Sequence, residues 1–221
     1  MLSIATKIKA SAAAFHDQLW PLIADELGGG RIVHVESVSD QDFFKQVLDC
    51  YSGIDTWHVD DANTRVRGLA TRMQKTRVLF DTFTIRFRRE SGRDTEYHKR
   101  LKTIQSLDGW LKPSVSIQGY FHPDGKGGFG QPRQVLIART DDLIEIIHTG
   151  KQGQGYDSPN DWYVRCTDAQ YGHDDETLFA VIPIGTLQRQ SYWYRFIKFP
   201  LVDNKPKGKT LLTAFRSLEL K

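Results

Sequence analysis

Residues 51–120 read YSGIDTWHVDDANTRVRGLATRMQKTRVLFDTFTIRFRRESGRDTEYHKRLKTIQSLDGWLKPSVSIQGY, and this stretch decides the fold. Its apolar periodicity and turn residues predict three strands, a helix and a fourth strand. In order, these are a strand opening at Gly53-Ile54-Asp55, Val66 to Gln74, Leu79 to Arg88, Thr95 to Leu107 and Ser114 to Phe121. The connections between the first three strands are too short for crossovers, which predicts an antiparallel meander. The pattern predicts an α+β fold with a mixed, largely antiparallel central sheet flanked by helices.

The segment before this stretch predicts helices. Apolar residues from Ile4 to Leu27 follow one helix face, Pro21 is expected to kink or split that helix, and Gly28-Gly29-Gly30 is expected to end it. Arg31 to Glu36 reads as a short strand, and residues 39–51 read as a capped helix. We therefore expect one domain over residues 1–221, with its core at residues 10–121.

Residues 122–221 are expected to extend that core with further strands and loops. The Gly-rich stretch Pro123 to Pro132 lacks the Gly-Lys-Ser/Thr ending of a phosphate-binding loop and is expected to be a hairpin end. Beyond it, the predicted elements are a strand at Val135 to Arg139, a helix at Asp141 to Thr149, strands at Trp162 to Cys166 and Leu178 to Ile184, and an aromatic, basic segment at Tyr192 to Phe199.

Composition limits the function classes. Of the 221 residues, 39% are hydrophobic and 26% are charged, which is ordinary for a globular protein, and no apolar run is long enough for a membrane span. The two cysteines, Cys50 and Cys166, do not indicate a disulfide framework, so a cytoplasmic protein is expected. The net charge of +3 is compatible with a nucleic-acid partner without requiring one.

Two aspartates in the central stretch are candidate metal ligands. In an extended strand, Asp81 shares one face with Leu79, Phe83, Ile85 and Phe87. It is therefore expected on a buried, apolar strand face. A carboxylate there is costly unless an arginine or a metal ion compensates it. Asp55 follows a glycine turn at the start of the first strand, where it could instead cap backbone N–H groups.

The order helix, three strands, helix, strand resembles the core of the PD-(D/E)XK nuclease superfamily over roughly residues 10 to 121. Gly53-Ile54-Asp55 is similar to the first motif of that superfamily. The next strand reads Gly68-Leu69-Ala70-Thr71-Arg72-Met73-Gln74-Lys75 and has no Glu-x-Lys, so that only Gln74, with Arg72 two residues earlier, can stand in for it. Since some members replace a lost strand residue from a neighbouring helix, Lys99 is a candidate for the missing cation.

The resemblance implies a divalent-metal-dependent nuclease, or a degenerate relative that binds nucleic acid without cutting it. Mg²⁺ would be held by Asp55 and Asp81, and Asp55, Gln74 and Lys99 would form the catalytic set. Basic residues near the junction of the third strand and the helix are candidates for phosphate binding. These are Arg72, Arg86, Arg88 and Arg100. The segment Glu96 to Lys99 has a simpler interpretation as a surface ion pair.

A second function class remains open, a non-catalytic protein-binding module such as a phage or defence-system component. It would use the loops Pro123 to Pro132 and Lys151 to Asp161. The two classes differ in geometry: convergence of Asp55, Gln74 and Asp81 in one cleft favours the nuclease, and their dispersal favours the binding module.

Overall fold

The structure is a computed structural model that describes residues 4–35, 53–89, 91–92, 94–105, 112–154, 160–166 and 177–200. The helix predicted over residues 39–51 and a basic loop predicted at Lys205 to Lys209 lie outside the described residues. Within the described ranges, no helix combines the length and the apolar composition needed to cross a membrane.

The chain opens with an interrupted helical run. It comprises α1 (Ile4–Ala13), a π-helical segment (Ala14–Leu19), α2 (Trp20–Ile23) and a 3₁₀ turn (Ala24–Leu27). Pro21 lacks a backbone N–H and cannot continue the regular bonding pattern, and the α-helical geometry is interrupted just before it. Gly28 ends the run in the left-handed conformation, with φ of 87°. The predicted break and the predicted end are both confirmed.

A six-stranded mixed sheet forms the centre of the fold. Its strands are β1 (Arg31–His34), β2 (Thr56–Asp60), β3 (Arg65–Lys75), β5 (Pro113–Pro123), β6 (Phe129–Arg139) and β10 (Tyr194–Lys198), in that spatial order. β3 and β5 run parallel, and the other neighbours are antiparallel. The predicted strands of the 51–120 stretch are present, but only β2, β3 and β5 of them belong to this sheet.

The predicted three-strand meander is wrong. The third strand, β4 (Thr82–Arg89), belongs to a second, four-stranded sheet with β9 (Thr177–Pro183), β8 (Trp162–Cys166) and β7 (Gln152–Gly153). β3 is instead flanked by β2 and β5, and the segment between β3 and β4 carries the chain into another layer. A short connection keeps two strands close, yet it does not decide whether they pair by backbone or face each other through side chains.

The described ranges contain three further helices, α3 (Glu96–Gln105), α4 (Thr140–Thr149) and α5 (Ile184–Arg189). One face of the central sheet packs on the N-terminal helices, with Leu19, Leu69 and Ile117 in one buried cluster. In the other cluster, the central sheet packs against the second sheet, α3 and α4. Its members include Phe83, Tyr97, Tyr120, Leu136, Leu143 and Ile182. The α+β class with a mixed, largely antiparallel sheet is confirmed.

Residues beyond 121 do more than extend the core. β6 makes a long antiparallel pair with β5, and β9 is the neighbour of β4. The second sheet therefore needs strands from both halves of the sequence. The expected core of residues 10–121 contains only one of its strands, β4.

Candidate active site

A cleft of about 430 Å³ opens where β3 extends beyond its neighbour β2. Its wall is built from the segment before β2, the middle of β3, β4 and β5, and the first turn of α3, with contributions from α1 and α4. Among the residues that the structure describes, six ionisable side chains line it: Asp55, Arg72, Arg86, Glu96, Lys99 and Arg100. These residues come from four separate segments of the chain, and the fold brings them together.

Asp55 is fixed by backbone pairing on both sides. Its N–H donates to the carbonyl of Leu69 at 3.0 Å, and its own carbonyl accepts a bond from the N–H of Val35 at 3.3 Å. The carboxylate oxygen Oδ2 accepts a bond from the N–H of Thr71 at 2.6 Å. Asp55 therefore does cap a backbone N–H, as one interpretation of the sequence has it. Asp55 also lines the cleft, and a carboxylate offers about four lone-pair sites.

Glu96, at the start of α3, lies among arginines. Its Oε2 accepts a bond from the backbone N–H of Arg86 at 3.3 Å. Burial alone raises the pKa of this carboxyl, but the guanidinium groups of Arg100, Arg72 and Arg86, together with that hydrogen bond, outweigh burial and hold the pKa below its usual value. Glu96 is therefore a carboxylate at neutral pH. The surface pair expected from the sequence is instead part of the cleft wall.

Arg100 and Lys99 follow on the same helix. Arg100 is 6% exposed, and its Nε–H has no acceptor in the part of the chain that the structure describes. Gly53 has a φ of 68°, a backbone conformation that favours glycine, and a Cβ at this position would lie at an ordinary contact distance of 3.7 Å from this Nε. Lys99 is partly buried in the same wall.

Arg72, on β3, completes the cationic side of the cleft. Its guanidinium carbon lies 4.4 Å from the ring centroid of Phe179 on β9, a distance typical of a cation–π contact. Its Nη1 is buried and finds no hydrogen-bond acceptor within the described ranges. Burial lowers the pKa of Arg72, while the charge of Glu96 opposes that shift. An arginine remains protonated through such a change.

Two of the residues predicted for catalysis or metal binding lie outside the cleft wall. Gln74 donates from Nε2 to Thr84 Oγ1 at 3.3 Å and belongs to the polar contacts between the two sheets. Asp81 is exposed and precedes β4, so the predicted burial among apolar side chains is wrong. The strand begins one residue later, at Thr82, and the alternation does not extend back to Asp81.

The arginines expected to bind phosphate divide in the same way. Arg72, Arg86 and Arg100 line the cleft, whereas Arg88 is exposed on β4 and does not. Asp55, Gln74 and Asp81 are dispersed, an outcome that for these three residues favours the binding module, and the predicted metal pair of Asp55 and Asp81 is not brought together in this cleft. The second carboxylate in the wall is Glu96, which the sequence interpretation had assigned to a surface pair. Its spacing of three from Lys99 and four from Arg100 is the signal that identifies this helix face.

The potential metal ligands of the cleft suit only one kind of metal site. Over the described residues, no three His, Cys, Asp or Glu side chains are grouped so that they could hold a metal by themselves. Mg²⁺, however, is commonly bound by one or two carboxylates together with water and substrate phosphates. Asp55 and Glu96, which line the same cleft, fit that second arrangement. Comparisons with protein-family models, with curated proteins and with solved structures find no match.

Proposed function

We propose that this protein is a Mg²⁺-dependent nuclease whose active site is the cleft around Asp55, Glu96 and Lys99. The observation that carries the proposal is the presence of two carboxylates, a lysine and three arginines in one cleft wall. Phosphodiester hydrolysis needs oxygen ligands for a hard cation and positive charge beside the phosphate. The cleft contains both kinds of group, in a space the size of a ligand site.

Each group has a distinct part in this proposal. Asp55 and Glu96 would hold the metal, which, when bound, polarises the phosphate and lowers the pKa of a coordinated water. Lys99 places a compact positive charge where negative charge develops on the phosphate. Arg72, Arg86 and Arg100 bind and orient the strand through its phosphates. The resemblance to the PD-(D/E)XK superfamily supports this assignment through Asp55 and Lys99, and Glu96 replaces the expected strand carboxylate.

The charge of the cleft also determines when the metal binds. Four cationic side chains face two carboxylates, so a divalent cation alone enters a region with a positive excess. Phosphates of a bound strand reverse that balance. We therefore expect Mg²⁺ and nucleic acid to bind together more tightly than either binds alone.

The proposal is tested by a cleavage assay on end-labelled DNA and RNA with Mg²⁺ or Mn²⁺, against EDTA. Asp55→Asn and Lys99→Met should each lower the rate by at least about 100-fold, because each removes a group acting at the phosphate. Asp61→Asn is the matched control. Asp61 is an exposed aspartate that forms an ion pair with Arg31 outside the cleft, and its loss should leave the rate unchanged.

The assay separates the competing classes. Binding in the cleft without cleavage under any metal condition would make the protein a non-cleaving relative that binds nucleic acid. The absence of both binding and cleavage would instead favour the protein-binding module. Cleavage that survives Asp55→Asn would place the active site elsewhere.

A further inference from the structure

The cleft carries more positive charge than its own carboxylates balance. Arg72, Arg86, Lys99 and Arg100 are cationic, and Asp55 and Glu96 are anionic, which leaves a formal excess of two positive charges. Glu96 interacts with three arginines at once. One carboxylate cannot neutralise three guanidinium groups, so the site is electrostatically incomplete within the described structure.

Two hydrogen-bond donors in this wall also lack acceptors. The Nε–H of Arg100 and the Nη1 group of Arg72 are buried and have no hydrogen-bond partner among the described residues. Arg100 is among the few charged residues that the fold buries, at 6% exposed. An unpaired buried donor is unfavourable, and a charged one especially so. Both observations indicate an anionic ligand that accepts several N–H bonds.

The geometry points to a phosphate monoester, the terminal phosphate of a nucleic-acid strand, as the ligand of a subsite formed by Arg72, Arg86 and Arg100. This inference rests on the proposed function, since it names the kind of substrate that the same cleft takes. A monoester carries between 1.5 and 2 negative charges at neutral pH, whereas a phosphodiester within a strand carries one. Without a bound metal ion, the excess of two positive charges matches the monoester.

The burial of Arg100 favours the same ligand. A phosphodiester inside a strand has a nucleotide on both sides, and both must leave the cleft. A terminal phosphate continues on one side only, so it can reach side chains as buried as Arg100. A cleft of about 430 Å³ is the size of a small-ligand site and accommodates the end of a strand. We infer that the enzyme acts from strand ends that bear a phosphate.

Fluorescence anisotropy in EDTA tests the inference without cleavage. Three oligonucleotides of one sequence are compared, with a 5′-phosphate, with a 3′-phosphate and with neither, and inorganic phosphate is added as competitor. One phosphorylated end should bind at least about tenfold more tightly than the unphosphorylated strand, since charge-assisted bonds to a second negative charge are added. Arg100→Gln and, separately, Arg86→Gln should remove that preference. Arg88→Gln, on the same strand as Arg86 but outside the cleft wall, should retain it.

The wild-type comparison alone can overturn the inference, whether or not the variants fold. Equal affinity for all three strands, with or without Mg²⁺-dependent cleavage, would show that the subsite does not recognise a phosphate end. Competition by inorganic phosphate without any end preference would restrict the ligand to a free anion and also contradict the strand-end assignment. A clear end preference without cleavage supports the subsite and contradicts the catalytic part of the proposed function.

Discussion

Glu96 shows how strongly surroundings change the meaning of one residue. On an isolated helix, a glutamate followed by a lysine and an arginine would form solvent-exposed pairs worth a few tenths of a kcal/mol. In this fold the same carboxylate is attracted to the charges of Arg100, Arg72 and Arg86 and accepts the Arg86 N–H. Removing it leaves three guanidinium groups close together without their shared counter-charge.

Glu96→Gln should therefore lower the free energy of unfolding at pH 7 by about 2 kcal/mol, between the exposed and the fully buried cases. Because the folded pKa of Glu96 lies below its ordinary 4.5, this stabilisation is present above that pH and is lost as the pH falls below it. Urea unfolding at several pH values should show that the free energies of unfolding of the wild type and the variant become more alike as the pH falls. Glu26→Gln, which removes an exposed partner of Arg195, should cost less than about 1 kcal/mol; an equal loss in both variants would contradict this account.

At the scale of elements, a buried polar network joins the central sheet to β4. Tyr120 on β5 donates its hydroxyl to the carbonyl of Thr82 at 2.8 Å and accepts a bond from Gln118 Nε2 at 2.5 Å. Gln118 Oε1 accepts the backbone N–H of Thr84 at 2.8 Å. Gln118 and Glu96 thus bind two backbone N–H groups of β4 that its partner strand does not, and the network holds β4, with Arg86, against the cleft.

Tyr120→Phe should cost about 1 to 3 kcal/mol, because it leaves the Gln118 amide and the Thr82 carbonyl buried with one bond fewer each. Burial is the main reason that the pKa of Tyr120 rises to about 12. The stabilisation from the neutral phenol is thus complete below pH 10 and is lost as the pH rises toward 12. An ultraviolet titration should find one late-ionising tyrosine in the wild type that is absent from the variant. If the tyrosine that ionises at the highest pH is still present in Tyr120→Phe, the assignment of the raised pKa to Tyr120 is wrong.

For the whole molecule, the charge distribution matters more than the net charge. The chain carries only +3 over 221 residues, yet the cleft alone holds an excess of two positive charges. Binding driven by such a local cluster should release counterions and depend strongly on salt.

The logarithm of the binding constant for DNA or RNA should fall linearly with the logarithm of salt concentration. Replacing Arg86 or Arg100 by Gln should reduce that slope by about 1, because each removes one phosphate contact. Arg31→Gln, at an exposed arginine paired with Asp61, should leave the slope unchanged. Titrations in EDTA at four salt concentrations measure this. An affinity that ignores salt would remove nucleic acid as the ligand of the cleft.

The sequence predicts the elements well and their partners less well. Alternation and turn residues identify β2, β3, β4 and β5 because those signals are local. The pairing of β4 with β9 depends on two segments about 95 positions apart, which no local pattern records. The same limit explains which cleft residues the sequence could identify: Asp55 and Lys99 were candidates through the family resemblance, the cleft arginines were candidates through their charge, and all of them line the cleft, whereas Asp81 was misplaced by one strand boundary. Glu96 was assigned to a surface pair because only the folded layers bring Arg72 beside it.

The pairing of β4 with β9 also implies a delay during synthesis, because β4 is made well before its partner strand. Ile85 pairs with Ala180, 95 positions later, so at ribosomal rates of 5 to 20 residues per second β4 waits roughly 5 to 20 seconds for its neighbour. During that interval Phe83, Ile85 and Phe87 have no sheet partner, and a strand of this composition would associate readily with another nascent chain. Arg86, Arg88 and Arg89 interrupt it with like charges, the kind of residue that keeps such segments apart. We therefore expect the arginines of β4 to limit such association before the cleft forms.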